Sequence, residues 1–499
     1  MSTDTEYLLK STNEDTILPK DSKSSNNDDN DDHVQIYRGR YWIIAVYSLF
    51  AMIQGGTWSI PGAIQPTLQQ VYNIDGNTIQ LLLNYGPIGW FVTCIPFSWL
   101  MDRQGCRLSV IISIWLIFLS QVARCFAWDT SMLSISLLHI SFLLNAFAGP
   151  VAMAAVSKLS EDWFSIKERT FATSIMAEAN NCAGVLIWIM VPLLVNNQDL
   201  TSVMNFNYVL VGISGVTVIM GHIYFPAHPP TPPSASALLQ KHKESQFTFK
   251  EFRKSVYELS MHRSYMVINI AYACISGAAN ALSSLLVSIL SNIGYSQTQS
   301  GWIGFASSVL GLLLGVTLSK LTDKYRNQRT VIIVLLSISS ITYGIFALFA
   351  SGFFSDAFLS STAGFFLVGI FFTLCNITFD AAIPLFFELG VEVTYPIPEA
   401  TVLMYMTTLM NLATSLLLAA PMDTYGVTWM PWAMAGITLF FTILIALYFG
   451  NKAPRYDYDI THKVDEENKD NILAENNIQN IEGSTSLIIS SIKQIKSIQ

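Results

Sequence analysis

Twelve apolar runs, each long enough to cross a bilayer as a helix, leave this 499-residue chain few ways to fold. A hydrocarbon core about 30 Å thick needs about 20 apolar residues of helix. Runs of that length begin near residues 41, 79, 107, 131, 169, 206, 264, 298, 329, 358, 398 and 428. The pattern predicts an all-α membrane protein with twelve transmembrane helices. Charged residues are only 12% of the chain, against about 25% in soluble domains.

The formal net charge of −8 belongs to two tails. Residues 1–37 carry −6 and residues 451–499 carry −2, while the stretch between them balances 18 acids with 18 bases. The acidic balance therefore describes tails and not a surface for basic partners, and no nucleic-acid partner is expected. Both tails are rich in Asn with Asp, Ser or Ile and read as disordered. No cleavable signal peptide is expected, because the first 37 residues are polar. The six cysteines lie in or beside apolar runs without a CxxC pair. They read as small buried hydrophobes, with no metal site and no cofactor.

Orientation follows from basic residues, which stay in the cytoplasm. If the tails are cytoplasmic, the gaps on their side hold Arg103, Arg107, Lys167, Arg169, Lys241, Lys243, Lys250, Arg253, Lys254, Lys320, Lys324, Arg326 and Arg329. The opposite gaps offer only Arg124, at the end of helix 3. Both termini are therefore expected in the cytoplasm. The central gap, 227–262, separates an N-terminal bundle (38–226) from a C-terminal one (263–450). It opens with FPAHPPTPPS, which terminates helix 6 and could also serve as a PxxP ligand. It continues with Phe249, Phe252, Val256 and Leu259 at helical spacing among bases, the pattern of an amphipathic helix on the membrane surface.

The two halves repeat. SWLMDRQGCR (98–107) and SKLTDKYRNQR (319–329) place Asp102 and Asp323 221 residues apart. WFSIKERTFA (163–172) and YPIPEATV (395–402) place Glu168 and Glu399 231 apart. Recurrence at nearly one period indicates duplicated halves. Each half has an Asp-plus-base turn and a glutamate opening helix 5 or 11, where it meets the positive end of the helix dipole. Asp102, Arg103, Arg107, Glu168, Arg169, Asp323, Lys324, Arg326 and Glu399 are thus the expected cytoplasmic gate. The acids of PLFFELGVEVTYPIPEA (Glu388, Glu392, Glu399) are expected to pair with Lys324, Arg326 and Arg329. The competing reading is exposed loop charges worth under about 1 kcal/mol each.

DRQGCR resembles the Asp-Arg-x-Gly-x-Arg signature of the major facilitator superfamily, with Ser98 where that signature has its first glycine. GPIGW (86–90), NAFAGPVAMAAVSKLSEDWF (145–164), FPAHPPTPPS (225–234), GWIGF (301–305) and IPLFFELGVEVTYPIPEA (383–400) resemble solute carrier family 49. The resemblance implies the major facilitator fold of two six-helix bundles. One branch implies a proton-driven carrier of pyridoxine (vitamin B6) in the lysosomal membrane. Another branch, the feline leukaemia virus subgroup C receptors, implies choline, ethanolamine or haem.

Polar groups at membrane depth are expensive and usually functional. Amides fall near helix midpoints at Gln54, Asn180, Asn181, Asn280 and Asn411, and Trp58 shares a face with Gln54. Such a ring suits a small neutral hydroxylated heteroaromatic. The indole could equally hold a choline cation, and intramembrane amides also serve simply to bond helices, for about 1 kcal/mol each. Choline-type relatives carry polar residues in line with Gln54, Asn181 and Asn411, two of them Gln where this chain has Asn.

Proton coupling needs an acid inside. Glu178, about 15 Å into helix 5 from Glu168, and Asp380 in helix 10 are the candidates, with His139 a third. Each could instead make only a helix-to-helix hydrogen bond.

DTEYLLK opens the chain. Asp4, Leu8 and Leu9 resemble the acidic dileucine signal read by endosomal adaptor complexes, pointing to an endolysosomal membrane. The sole usable sequon, Asn376-Ile-Thr378, lies inside helix 10 and is expected to stay unglycosylated. No GxSxG, HExxH, Walker loop or dinucleotide fingerprint is present, so an enzyme is not expected. A nutrient sensor with the same pocket stays open.

Overall fold

A computed structural model of the chain describes residues 37–164, 166–195, 199–229, 249–325, 328–394, 397 and 399–448. The sorting signal at Asp4, Leu8 and Leu9, together with Arg326, lies outside them. Twelve helical spans follow in order: helix 1 (Gly39–Ala63), helix 2 (Gly76–Gln104), helix 3 (Cys106–Cys125) and helix 4 (Met132–Phe147, resuming as Gly149–Trp163). Helix 5 (Ile166–Leu194), helix 6 (Leu200–Ile223) and helix 7 (Arg263–Ser284, resuming as Leu286–Ser291) come next. Helix 8 (Gln297–Tyr325), helix 9 (Gln328–Ala350), helix 10 (Thr362–Asp380, resuming as Ile383–Thr394), helix 11 (Glu399–Leu418) and helix 12 (Trp429–Tyr448) complete the set. Among the described residues, ten spans are long and apolar enough to cross a membrane by length and composition. Helices 2 and 8 have the length as well, 29 residues each.

The turn in DRQGCR shows why a glycine stands there. Gly105 ends helix 2 with φ of 77°, in the left-handed region that suits glycine. Its N–H still reaches the Met101 carbonyl at 3.0 Å, so helix 3 starts at the next residue.

Packing repeats with the sequence. Helix 1 lies against 5, 3 against 4, 3 against 6, and 2 against 4. Six helices later, 7 lies against 11, 9 against 10, 9 against 12, and 8 against 10. Between the halves, 5 meets 8 and 2 meets 11. Leu133, Phe171, Leu416 and Leu447 are exposed on the outside, as a lipid-facing belt requires.

The amphipathic segment is helix Phe249–Met261, but it does more than lie on a membrane surface. It packs on helices 7 and 11, with Leu259 fully buried and Ser260 sharing a 3.0 Å hydrogen bond with the Tyr405 hydroxyl. Lys250, Arg253 and Lys254 stay exposed. All six cysteines are free. Asn376 is buried, its amide donating to the Phe372 carbonyl at 2.8 Å, out of reach of a glycosylating enzyme.

Candidate functional site

Three amides from three helices meet in the first half. The Asn180 side chain donates to Gln54 Oε1 at 3.0 Å and to the Ala51 carbonyl at 2.9 Å, tying helix 5 to helix 1. Asn145 of helix 4 donates to the Gln54 backbone carbonyl at 3.2 Å. Gly55 makes the crossing possible, since a Cβ there would lie 2.6 Å from the Asn180 carbonyl oxygen. Gln54 Nε2 faces Gly149, at the break in helix 4. Trp58, one turn on from Gln54, lies against helix 2, where a Cβ on Gly86 would stand 2.6 Å from the indole.

In the second half, Asn280 of helix 7 approaches Met410 Sδ at 3.6 Å, as the Tyr272 hydroxyl does at 3.5 Å. Neighbouring Asn411 is buried and donates to the Thr407 carbonyl of its own helix at 2.9 Å. Among the described residues no hydrogen bond joins the two groups. Asn181 stands on helix 5, and its side chain lies outside the described residues. Sequence reasoning missed Asn145, although its place near the middle of helix 4 meets the rule that selected the others.

The halves touch on one side of the membrane. Thr67 donates to Gln297 Oε1 at 2.8 Å, and the Met422 amide to Gln80 Oε1 at 2.9 Å. Asp423 accepts from the Gly76 and Asn77 amides at 3.2 Å each, a carboxylate of one half capping helix 2 of the other. Deeper in, Asn84 donates to the Ser415 carbonyl at 3.2 Å and the Trp90 indole to Thr408 at 3.3 Å. The apolar core divides accordingly. Ile60, Leu82 and Val191 of the first half share one core with Leu286, Met406 and Met434 of the second. Toward the 2–3 turn, Tyr47, Val110, Val151 and Met176 form a separate core confined to the first half. The molecule is sealed on the side opposite the 2–3 turn.

Glu178 and Asp380, chosen from sequence as alternatives, lie within electrostatic reach of each other. Asp380 Oδ2 lies close to Gly311 of helix 8, 3.2 Å from where a Cβ would be. His139 bonds the Tyr85 hydroxyl at 3.0 Å, away from both acids.

On the side of the 2–3 turn, Glu168 pairs with Arg40 at the start of helix 1, whose Nη2 also reaches Glu168 Oε1 at 3.3 Å. Arg40 is buried, its guanidinium over the Tyr41 and Phe164 rings. This partner stands 128 residues away in the chain. Arg40 carries the same charge as the residues counted in the gaps and was passed over because it flanks the first span. Arg329 donates to the Ala446 carbonyl of helix 12 at 2.7 Å. Arg103 is exposed and stacks over Trp99, and Arg107 is exposed. The side chains of Asp102, Arg169, Asp323, Lys324 and Glu399 lie outside the described residues.

Two bundles of repeated packing, sealed on one side over paired amides, are the construction of a secondary transporter. A profile described as the Major Facilitator Superfamily matches residues 47–413. The "Solute carrier family 49 member 4 homolog" of Xenopus tropicalis is 31% identical over 443 residues, covering 85% of this chain and 93% of its own. The chain belongs to the major facilitator superfamily and, within it, to solute carrier family 49, on the member 4 side. The "Choline/ethanolamine transporter FLVCR1" of Felis catus is 25% identical over 374 residues, covering 72% of this chain and 63% of its own. Among solved structures, a D-xylose-proton symporter superposes with a TM-score of 0.64 at 13% identity over 82% of this chain and 98% of its own, a likeness of fold. The protein is a multi-pass membrane transporter and not an enzyme.

Proposed function

We propose that the protein carries pyridoxine with protons across the lysosomal membrane, by rocking bundles 38–226 and 263–450 about a midplane site. The observation that carries this reading is the Gln54–Asn145–Asn180 cluster beside Trp58. Among the described residues, no carboxylate bonds to Gln54, Asn145, Asn180 or Trp58. Neutral donors and acceptors beside an indole favour a neutral heteroaromatic with hydroxyls over a cation. In this reading Asn280 and Asn411 complete the site from the other half, so one ligand bridging the two groups would draw the halves together.

The dileucine segment at Asp4, Leu8 and Leu9 supports an endolysosomal address through adaptor complexes, and the basic residues of the 2–3, 4–5 and 8–9 turns support cytoplasmic termini. A second reading, choline or ethanolamine carriage, draws on the named relative and on the indole, which can hold an ammonium by cation–π attraction. A haem-type cargo or a sensor that binds without moving cargo is a further alternative. The test uses a Leu8→Ala, Leu9→Ala variant brought to the cell surface. Labelled pyridoxine uptake that rises in acid, collapses with a protonophore and yields to unlabelled pyridoxine supports the reading. Surface protein that takes up choline and leaves pyridoxine outside replaces it with the second.

A further inference from the structure

We infer that helix Phe249–Met261 and the start of helix 7 form a docking surface for the head groups of anionic phospholipids. The inference is independent of the cargo. Three observations carry it.

The helix has two faces. Phe252, Val256 and Leu259 are half-buried or buried where it packs on helices 7 and 11. Lys250, Arg253, Lys254, Tyr257 and Met261 recur at helical spacing on the opposite face, and all five are exposed. Arg263, the first residue of helix 7, continues the exposed series.

The basic groups are uncommitted. Lys254 lies 3.7 Å from Glu258 one turn on, an exposed pair of little worth. Among the described residues, no ion pair or hydrogen bond engages the side chains of Lys250, Arg253 or Arg263. Against Lys250, Arg253, Lys254 and Arg263 the segment sets only Glu251 and Glu258, so its balance is positive. His262 is occupied otherwise: its ring caps helix 7, accepting from the Tyr265 amide at 3.2 Å.

The surface stands at the edge of the membrane. Helix 7 is long and apolar enough to cross it. Most of that helix is buried in the bundle, but Arg263, Met266, Val267 and Ile270 form one stripe at helical spacing that is exposed or half-buried. On a spanning helix such a stripe faces lipid. It leads back through Arg263 to Met261 and Tyr257, 63% and 64% exposed. A tyrosine ring and a thioether among bases suit the interfacial layer, with apolar groups at head-group depth and cations on phosphates. An acidic protein segment would engage the bases and leave that ring and thioether unused, so lipid is the better occupant. Ser260 shares its hydrogen bond with Tyr405, and the Tyr265 hydroxyl donates to the Val402 carbonyl at 2.9 Å. Lipids that hold this surface therefore also hold the starts of helices 7 and 11.

The test uses purified full-length protein in an uncharged detergent, titrated with dioctanoyl phosphatidylserine or dioctanoyl phosphatidylcholine. The readout is the melting temperature, which rises with occupancy of a site on the folded state. Phosphatidylserine should act at a concentration about tenfold or more below phosphatidylcholine, and high salt should remove most of that preference. The combined variant Lys250→Gln, Arg253→Gln, Lys254→Gln should lose the preference and keep the response to phosphatidylcholine. Should it fail to purify, Arg253→Gln alone should weaken the preference about threefold or more. Wild type that answers both lipids alike overturns the inference, as does either variant with the preference intact. Glycerophosphoserine, the head group without its chains, should give no comparable rise. An equal rise with it, or with a polyglutamate peptide, would make this a site for free anions or acidic protein and overturn lipid docking.

Discussion

Asn180 and Gln54, 126 residues apart, share a 3.0 Å hydrogen bond that ties helix 5 to helix 1 at the middle of the membrane. It leaves the Gln54 N–H groups facing the gap beside helix 4. Gln54→Ala removes both the acceptor for Asn180 and the donor for a ligand. An unsatisfied buried polar group costs about 1–3 kcal/mol, so the apparent KM for pyridoxine should rise about tenfold or more. Gln54→Glu places an anion beside Trp58 and should shift competition toward choline. Uptake with both labels checks the pair of outcomes.

Trp58 depends on a missing side chain. A methyl at Gly86 would meet the indole at 2.6 Å, so Gly86→Ala must turn Trp58 out of its place. Overpacking of this kind costs about 1–3 kcal/mol. Pyridoxine affinity should fall by about tenfold, and Trp58→Ala should make Gly86→Ala nearly silent. A double-mutant cycle on KM measures that coupling.

Asp423 belongs to the seal. It caps helix 2 from the other half, and a charge at a helix N-terminus contributes about 0.3–1 kcal/mol. Asp423→Asn should therefore move the population a few-fold toward opening on the sealed side. Labelling of a cysteine placed at Thr67, whose hydroxyl bonds Gln297 across the same seal, reports the change by its rate.

Acid should leave the cap of helix 2 intact. The Thr78 hydroxyl and amide bonded to Asp75 hold its carboxyl below the usual range, and Ser202 does the same for Asp199 before helix 6. A depressed carboxyl contributes fully above its unfolded value and loses that contribution only as pH falls through the folded one. Thermal stability should thus be flat across mildly acidic pH with respect to these groups and fall only in stronger acid. Asp75→Ala should cost about 1 kcal/mol, and its melting temperature should differ from wild type by less as pH drops through the carboxylate range.

Arg124 explains the one basic residue on the wrong side by the charge rule. It is no loop residue: it is 2% exposed at the end of helix 3, over the Phe142 ring, with all three guanidinium nitrogens unbonded. A buried cation without a partner costs more than it returns. Arg124→Met should raise the melting temperature in detergent, and a fall would reveal an anion held there.

The spans and the repeat were legible because membrane depth forces long apolar runs, and a duplicated chain repeats its turns. Gln54 and Asn180 were legible too, each an amide at a helix midpoint, but their bond to each other was not, since register between helices 1 and 5 depends on a glycine crossing at Gly55. Arg40 as the partner of Glu168 was hidden by sequence distance. The seal was hidden for a different reason: Thr67, Gln80, Gln297 and Asp423 lie at helix ends, where polar residues are ordinary and only the approach of two halves gives them partners. Sequence also presented Glu178 and Asp380 as separate candidates, because nothing local shows that the two come within electrostatic reach.

The most direct measurement places purified full-length protein in liposomes with no driving force but an inward proton gradient. The account predicts that labelled pyridoxine accumulates above its external concentration, that a protonophore releases it, and that Gln54→Ala slows its entry about tenfold at low pyridoxine. Pyridoxine that never exceeds its external concentration, while choline accumulates in the same vesicles, would contradict the account.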